Sequence, residues 1–448
     1  MNAINLLKNN TILFFITAFF LVGCTSENSK DDLQPLKNYV EADHLHQWNV
    51  ALEAAIVNDF FTPPVAGRIY TYPNIAAYEI LIQKDSTYLS LNHHYPELKI
   101  PKPSKTVFLP LSAIYAFYYS GKNLVYDNEP LETKINEYEK DLKSLEVDSS
   151  ILKASKAYGE KIAEVVLDWA DQDGYKETRS FPKYQLLEKE GAWQPTPPDY
   201  LDAMEPHWST LRPFTLDSAA QFRPENPPKF DMDTGSAFYK ELMVPYHALM
   251  ENTEETEAIA KFWDCNPLVI KHQGHITFAE KKLTPGGHWV NIARDAMKKE
   301  NYSLSRTAYT YVMLSVGIHD AFISCWDTKY HTNYIRPVTV IQERIDKEWT
   351  PILYTPNFPE YTSGHSVVSR SASTILTEII GKDFAFVDST EVPYGMEARK
   401  FNSFIEASDE AAISRVYGGI HYPAAVEKGK VQGEKVGEHV LNNLNLKR

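Results

Sequence analysis

Along most of the chain, apolar residues recur every three to four positions. Tyr158, Ile162, Val165, Val166 and Trp169 form one such stripe, the pattern of a helix with one face on a core. The stripe stops near Asp173-Gly174. The same reading predicts helices over 252–262, 305–335 and 366–380. Alternating strand patterns are scarce, so the expected fold is all-α.

Two stretches break the helical pattern. At the start, Lys8 precedes a short apolar run, Ile12 to Val22, that ends in Leu21-Val22-Gly23-Cys24. The run is short for a membrane-spanning helix and reads as a targeting segment. Its ending resembles a bacterial lipoprotein signal. The expected organisation is a signal peptide over 1–23, a lipid on Cys24 and a polar tether over 24–42. This predicts an exported protein on the outer membrane or cell surface, with a periplasm-facing anchor as the other orientation. The second break runs from Trp193 to Asp231 and holds eight prolines, each of which removes a helical N–H donor. Trp193, Trp208 and Phe214 favour a packed loop there over a disordered one. The boundary between an N-terminal helical half, 43–230, and a C-terminal one, 231–448, is expected at the end of this loop.

The 448 residues have a hydrophobic content of 43%, which allows a large core. The net charge of −14 argues against a nucleic-acid partner, which a basic footprint would announce. It also means that any anion site is local and preformed. Beyond Cys24 the cysteines are Cys265 and Cys325, expected as two buried free thiols.

Candidate chemistry lies in three clusters. The first is Trp326-Asp327-Thr328-Lys329, followed seven residues after the lysine by Arg336-Pro337. Seven residues are two helical turns, so Lys329 and Arg336 are expected on one face, with Arg336 at the helix end because a proline follows. The second runs Phe358-Pro359-Glu360-Tyr361-Thr362-Ser363-Gly364-His365, just before a helix start that favours negative charge. The third is Ser414-Arg415, then His421 before Pro423. Each alone has an ordinary reading: solvated cations, an N-cap serine, a structural histidine. Together they offer three cations, neutral donors at Ser363 and Gly364, and two imidazoles. Such a set suits a tetrahedral oxyanion, phosphate or vanadate.

These motifs resemble those of the vanadium haloperoxidases and the related type 2 phosphatidic acid phosphatases. The shared pattern is Lys-x6-Arg-Pro, then Pro-Ser-Gly-His, then Ser-Arg-x5-His-x3-Asp. The likeness is strongest over 326–421, is visible in residues 193–214 and Pro285-Gly286-Gly287-His288-Trp289, and is only general in the N-terminal half. It implies an all-α barrel of two helical bundles with long Pro-rich loops and the site in the C-terminal half. It implies vanadate as cofactor, hydrogen peroxide and halide as substrates, and small organic molecules as acceptors of the hypohalous acid. By the same resemblance His421 ligates vanadium. Lys329, Arg336, Ser363, Gly364 and Arg415 hold the oxygens. His365 is the acid–base residue, Lys329 polarises peroxide, and Trp326 and Phe358 line the halide pocket. Asp264 and Asp320 are candidates to orient the arginines, with an ordinary packing role as the alternative.

The chain departs from the pattern twice. Thr362 replaces a proline, which is expected to loosen the loop. Ala425 replaces the aspartate that would hold His421, leaving a backbone carbonyl to orient the ring. The lipoprotein start, the length and residues 193–214 resemble bacterial members that include iodoperoxidases. That likeness, together with the easy oxidation of iodide, points to iodide over bromide and chloride. The two departures hint at weaker activation in the same sense, whereas Trp326 and Phe358 point to chloride. The alternative enzyme is an acid phosphatase that forms a phosphohistidine on His421. A non-catalytic anion-binding surface protein is the third reading.

Overall fold

The computed structural model describes residues 33–267, 269–273 and 276–448. Cys24 and the apolar run before it lie outside the described residues. Helices α1 to α7 are Gln34–Tyr39, Ala42–Asn58, Pro63–Leu81, Leu109–Lys122, Glu129–Ser144, Ser149–Ala170 and Tyr175–Thr178. Helices α8 to α15 are Ala237–Met250, Glu254–Phe262, Pro285–Lys299, Leu304–Thr332, Pro337–Arg344, Gly364–Ile379, Phe404–Tyr417 and Pro423–Asn443. Two antiparallel pairs, β1 (Val269–Gln273) with β2 (Ile276–Glu280) and β3 (Phe386–Asp388) with β4 (Arg399–Phe401), are minor additions. The all-α expectation holds. Among the described residues no helix is long and apolar enough to cross a membrane.

Helix α11 is the axis of the molecule. It is almost entirely buried and packs on α3, α10, α13 and α15. Ser303 caps its start by accepting a hydrogen bond from the Arg306 N–H, and Asn333 ends it in the left-handed region at φ 49°. Close packing explains one glycine on it: a Cβ on Gly317 would lie 2.1 Å from Ile375 of α13. Helix α3, from the N-terminal half, is buried along its whole length with Pro63 and Pro64 in its first turn, where proline costs no hydrogen bond.

The main core runs from Leu36 to Leu446 and joins residues of both halves. One expectation needs correction here. The tether expected to run to 42 already contains α1, whose Leu36 is fully buried; apolar contact with the body outweighs the local polarity.

The proline-rich loop is packed against α11, as its aromatics suggested. Asp320 accepts hydrogen bonds from the backbone N–H groups of Phe214 and Thr215, both at 2.7 Å. Arg223 makes a two-pronged pair with Asp327 at 2.8 and 2.9 Å. Met204 accepts from the Trp326 indole at 3.3 Å. Asp320 thus anchors this loop, the packing role, with no arginine hydrogen-bonded to it among the described residues.

Candidate active site

The three clusters converge where the ends of α11, α13 and α14 meet. Lys329 lies in the last turn of α11. The helix stops at Thr332, three residues short of expectation, and Asn333 turns the chain back. Arg336 therefore reaches the site as the extended N-cap of α12, ahead of Pro337, and not from the face that carries Lys329. Ser363 caps α13, accepting from the Ser366 N–H at 3.3 Å. Gly364 and His365 occupy the first turn, whose N–H groups have no partner within a helix. Arg415 sits in the last turn of α14. Gly419, at φ 79°, makes the left-handed turn that brings His421 back, a conformation glycine adopts freely.

A small cavity of about 30 Å³ is lined by Gly364, His365, Arg415 and His421 together with Met204, Phe322, Trp326 and Phe358. The Trp326 and Phe358 rings lie 5.0 Å apart. Trp326 spends its indole N–H on Met204, so it offers the cavity only apolar surface.

The His421 tautomer follows from its partners. Arg336 Nη1 donates to His421 Nε2 at 3.2 Å, and a guanidinium only donates, so Nε2 carries the lone pair. The proton is then on Nδ1, which donates to Glu360 Oε1 at 2.7 Å. The same Glu360 oxygen accepts from the Tyr422 N–H at 2.9 Å. Glu360 is fully buried, and burial pushes its carboxyl up to about 8 against the pull of Arg336. The orienting group is thus the Glu360 carboxyl from the second cluster, not the backbone carbonyl expected once Ala425 had replaced aspartate. Glu360 was visible in sequence five residues before His365; nothing in its spacing pointed to His421, 61 residues on.

Lys329 is spent differently from expectation. Its Nζ donates to the carbonyls of Pro359 at 2.9 Å, Glu360 at 3.1 Å and Thr362 at 2.5 Å, which uses all three ammonium hydrogens. It shapes the loop and supplies charge, but it presents no free N–H to polarise a substrate. Burial pushes its pKa down to about 7, with Arg336 adding to the effect. Thr362 is buried and donates to Gln432 Oε1 at 2.6 Å, and Gln432 bonds α11 through Ser324 and Thr328. The loop is tied where a loosened one was expected.

The remaining cations are under-partnered. Arg336 donates from Nε to Phe358 at 3.0 Å and from Nη1 to Ile420 at 2.8 Å, while Nη2 is buried without a partner. Arg415 donates from Nη1 to Trp263 at 2.9 Å, its Nε has no partner, and Asp264 is 4.0 Å away. Asp264 thus lies near Arg415, while its other oxygen pairs with Lys282 at 2.6 Å. Burial lowers the Arg336 pKa to about 10 and also lowers that of Arg415. His365 has a buried, unpartnered Nε2. Its pKa is held well below the ordinary value by burial and then by Arg415, so at neutral pH it is an uncharged proton acceptor. Unpaired buried charge costs several kcal/mol; an oxyanion among these donors removes that cost. The donor set, one imidazole lone pair surrounded by surplus cationic N–H groups, fits vanadate.

Residues 309–446 match the family model described as VCPO second helical-bundle domain, a range that holds all three clusters. Among solved structures, the chain is similar to the first bacterial vanadium-dependent iodoperoxidase at 44% identity, over 91% of this chain and 97% of that one, with a TM-score of 0.86. It also resembles a bacterial vanadium-dependent chloroperoxidase, at 16% identity in the holo form (90% and 98% covered, TM-score 0.71) and 15% in the apo form (86% and 94%, TM-score 0.65). At those identities the second likeness is one of fold. No curated protein matches the sequence.

Proposed function

The chain belongs to the vanadium-dependent haloperoxidases, and we propose that within this family it oxidises iodide by hydrogen peroxide in preference to bromide and chloride. The reaction produces hypohalous acid, which halogenates small organic acceptors. The observation that carries the site assignment is the pairing of His421 Nε2, its lone pair fixed by two hydrogen bonds, with the unpartnered donors of Arg336 and Arg415. Vanadate, when bound, supplies Lewis-acid activation of peroxide.

The protein's share is then as follows. His421 Nε2 would ligate vanadate in place of the hydrogen bond it accepts from Arg336 Nη1, and Glu360 holds the ring to that task. Arg336, Arg415, Ser363 and the N–H of Gly364 would bind oxyanion oxygens. His365 Nε2 takes the proton of incoming peroxide. Lys329 holds the 359–362 carbonyls in place. Trp326, Phe358 and Phe322 keep water from the halide.

Iodide yields electrons most readily and asks least of the site. The 44% identity to an iodoperoxidase supports this choice over the chloride that the aromatic pair suggests. The test is kcat/KM for iodide, bromide and chloride at fixed peroxide. Chloride within about tenfold of iodide, or about 1.4 kcal/mol in barrier, would contradict the preference.

We further propose that Cys24 carries lipid and tethers the protein to the outer membrane or cell surface. The Leu21-Val22-Gly23-Cys24 ending supports this. Cys24→Ser is expected to leave the membrane fraction with its turnover intact. Retention of that variant on membranes would contradict the anchor.

A further inference from the structure

A second buried cluster lies beside the cavity. Cys265 follows α9 and lines the cavity, His288 is in the first turn of α10, and Glu391 follows β3. All three are buried, and one ligand atom from each lies within 4.8 Å of the others. Cys265 Sγ is 3.3 Å from His288 Nδ1 and 3.8 Å from Glu391 Oε1, and Nδ1 is 3.4 Å from that Oε1. Zinc binds sulfur at about 2.3 Å and nitrogen or oxygen at about 2.0–2.1 Å, so tetrahedral edges of roughly 3.3–3.6 Å follow. The three distances sit close to such edges.

The far side of the imidazole is arranged to match. His288 Nε2 lies 2.7 Å from Asp388 Oδ2 and 2.7 Å from Thr390 Oγ1. Thr390 donates its own hydroxyl hydrogen to Asp388 Oδ1 at 2.6 Å, so Nε2 is the donor on this side. A carboxylate behind the histidine is the usual support of a metal-ligating imidazole. Nδ1 can then direct a lone pair at the space between thiol and carboxylate.

We propose that Cys265, His288 and Glu391 hold a divalent cation of the zinc class, with Asp388 orienting His288. Binding replaces the Cys265 thiol proton with the metal and releases that proton to solvent. The ion would pin the backbone at Trp263, whose carbonyl accepts from Arg415 and whose ring stacks on His288 at 4.5 Å. This site is independent of vanadate.

The test is elemental analysis and cobalt(II) substitution of the purified full chain. One zinc per chain is expected with or without vanadate. The cobalt form is expected to show thiolate-to-metal charge-transfer absorption that Cys265→Ser loses and Cys325→Ser keeps. Asp388→Asn is expected to keep the fold by circular dichroism and to weaken metal affinity about 10–100-fold; it decides the matter if Cys265→Ser fails to fold. Wild-type protein that takes up neither zinc nor cobalt, a cobalt spectrum indifferent to Cys265→Ser, or unchanged affinity in Asp388→Asn would each overturn the proposal. Zinc-free protein would mean that His288 is held by hydrogen bonds alone.

Discussion

Arg68 of α3 and Arg336 at the cavity are both buried, 3% and 0% exposed. Arg68 Nε meets Asp173 at 2.6 Å, its Nη2 donates to Ala170, and Tyr72 donates to the same Asp173 oxygen. Burial opposes the charge on Arg68, but Asp173 outweighs it and the pKa rises. Arg336 has carbonyls, an imidazole and one unpartnered nitrogen, and burial wins. The lesson is that charge balance, more than burial or residue type, separates an arginine that holds the fold together from one that waits for an anion.

Swapping the role of each arginine gives the largest expected effects. Arg68→Met strands the buried carboxyl of Asp173 and is expected to cost about 3–5 kcal/mol, read as a fall in the denaturation midpoint. Arg336→Met removes a poorly balanced charge. Vanadate-free Arg336→Met is expected to be no less stable than wild type, yet to bind vanadate poorly. A large stability loss in that variant, or normal vanadate affinity, would erase the contrast.

The two histidines sharpen the comparison from the neutral side. His421→Ala is expected to lose vanadium from the purified protein. His365→Ala is expected to retain vanadium in part while turnover falls about 10²–10⁴-fold. Equal vanadium content in wild type and His421→Ala would place the ligand elsewhere.

Glu360 is the carboxyl that holds His421, and a smaller effect is expected there. Glu360→Gln should weaken vanadium affinity about 10–100-fold. Its pKa of about 8 in the fold exceeds the ordinary 4.5, so between those values the folded form holds a proton that the unfolded chain has released. Stability then declines as pH rises from 4.5 to 8. The Tm of vanadate-free wild type should follow that slope, and Glu360→Gln should flatten it. An equal slope in the variant would show that Glu360 does not titrate in that window.

Much of this was legible in the sequence because local chemistry imposed it. Ser363 before Gly364-His365 had to cap a helix, as read; Pro337 fixes Arg336 at a helix boundary, but at the start of α12 and not at the end of the helix that carries Lys329. The helical stripe of 158–169 and the packed proline-rich loop were equally visible. What was hidden depended on contacts between distant segments. Glu360 meets His421 only because two loops converge. Lys329 turns onto carbonyls because the 359–362 loop wraps its ammonium. Leu36 joins the core through packing that no local pattern records, and Asn333 ends α11 early by a left-handed turn that its spacing does not announce.

The central claim is that the surplus cations and the fixed imidazole of this cavity hold a vanadate on which halide oxidation depends. The most direct measurement is titration of vanadate-free protein with vanadate, following bound vanadium and iodide oxidation together. Activity should start near zero, rise in step with bound vanadium, saturate at one vanadium per chain and be slowed by excess phosphate. Full iodide oxidation by vanadium-free protein, or vanadium uptake without a matching gain in activity, would contradict the account.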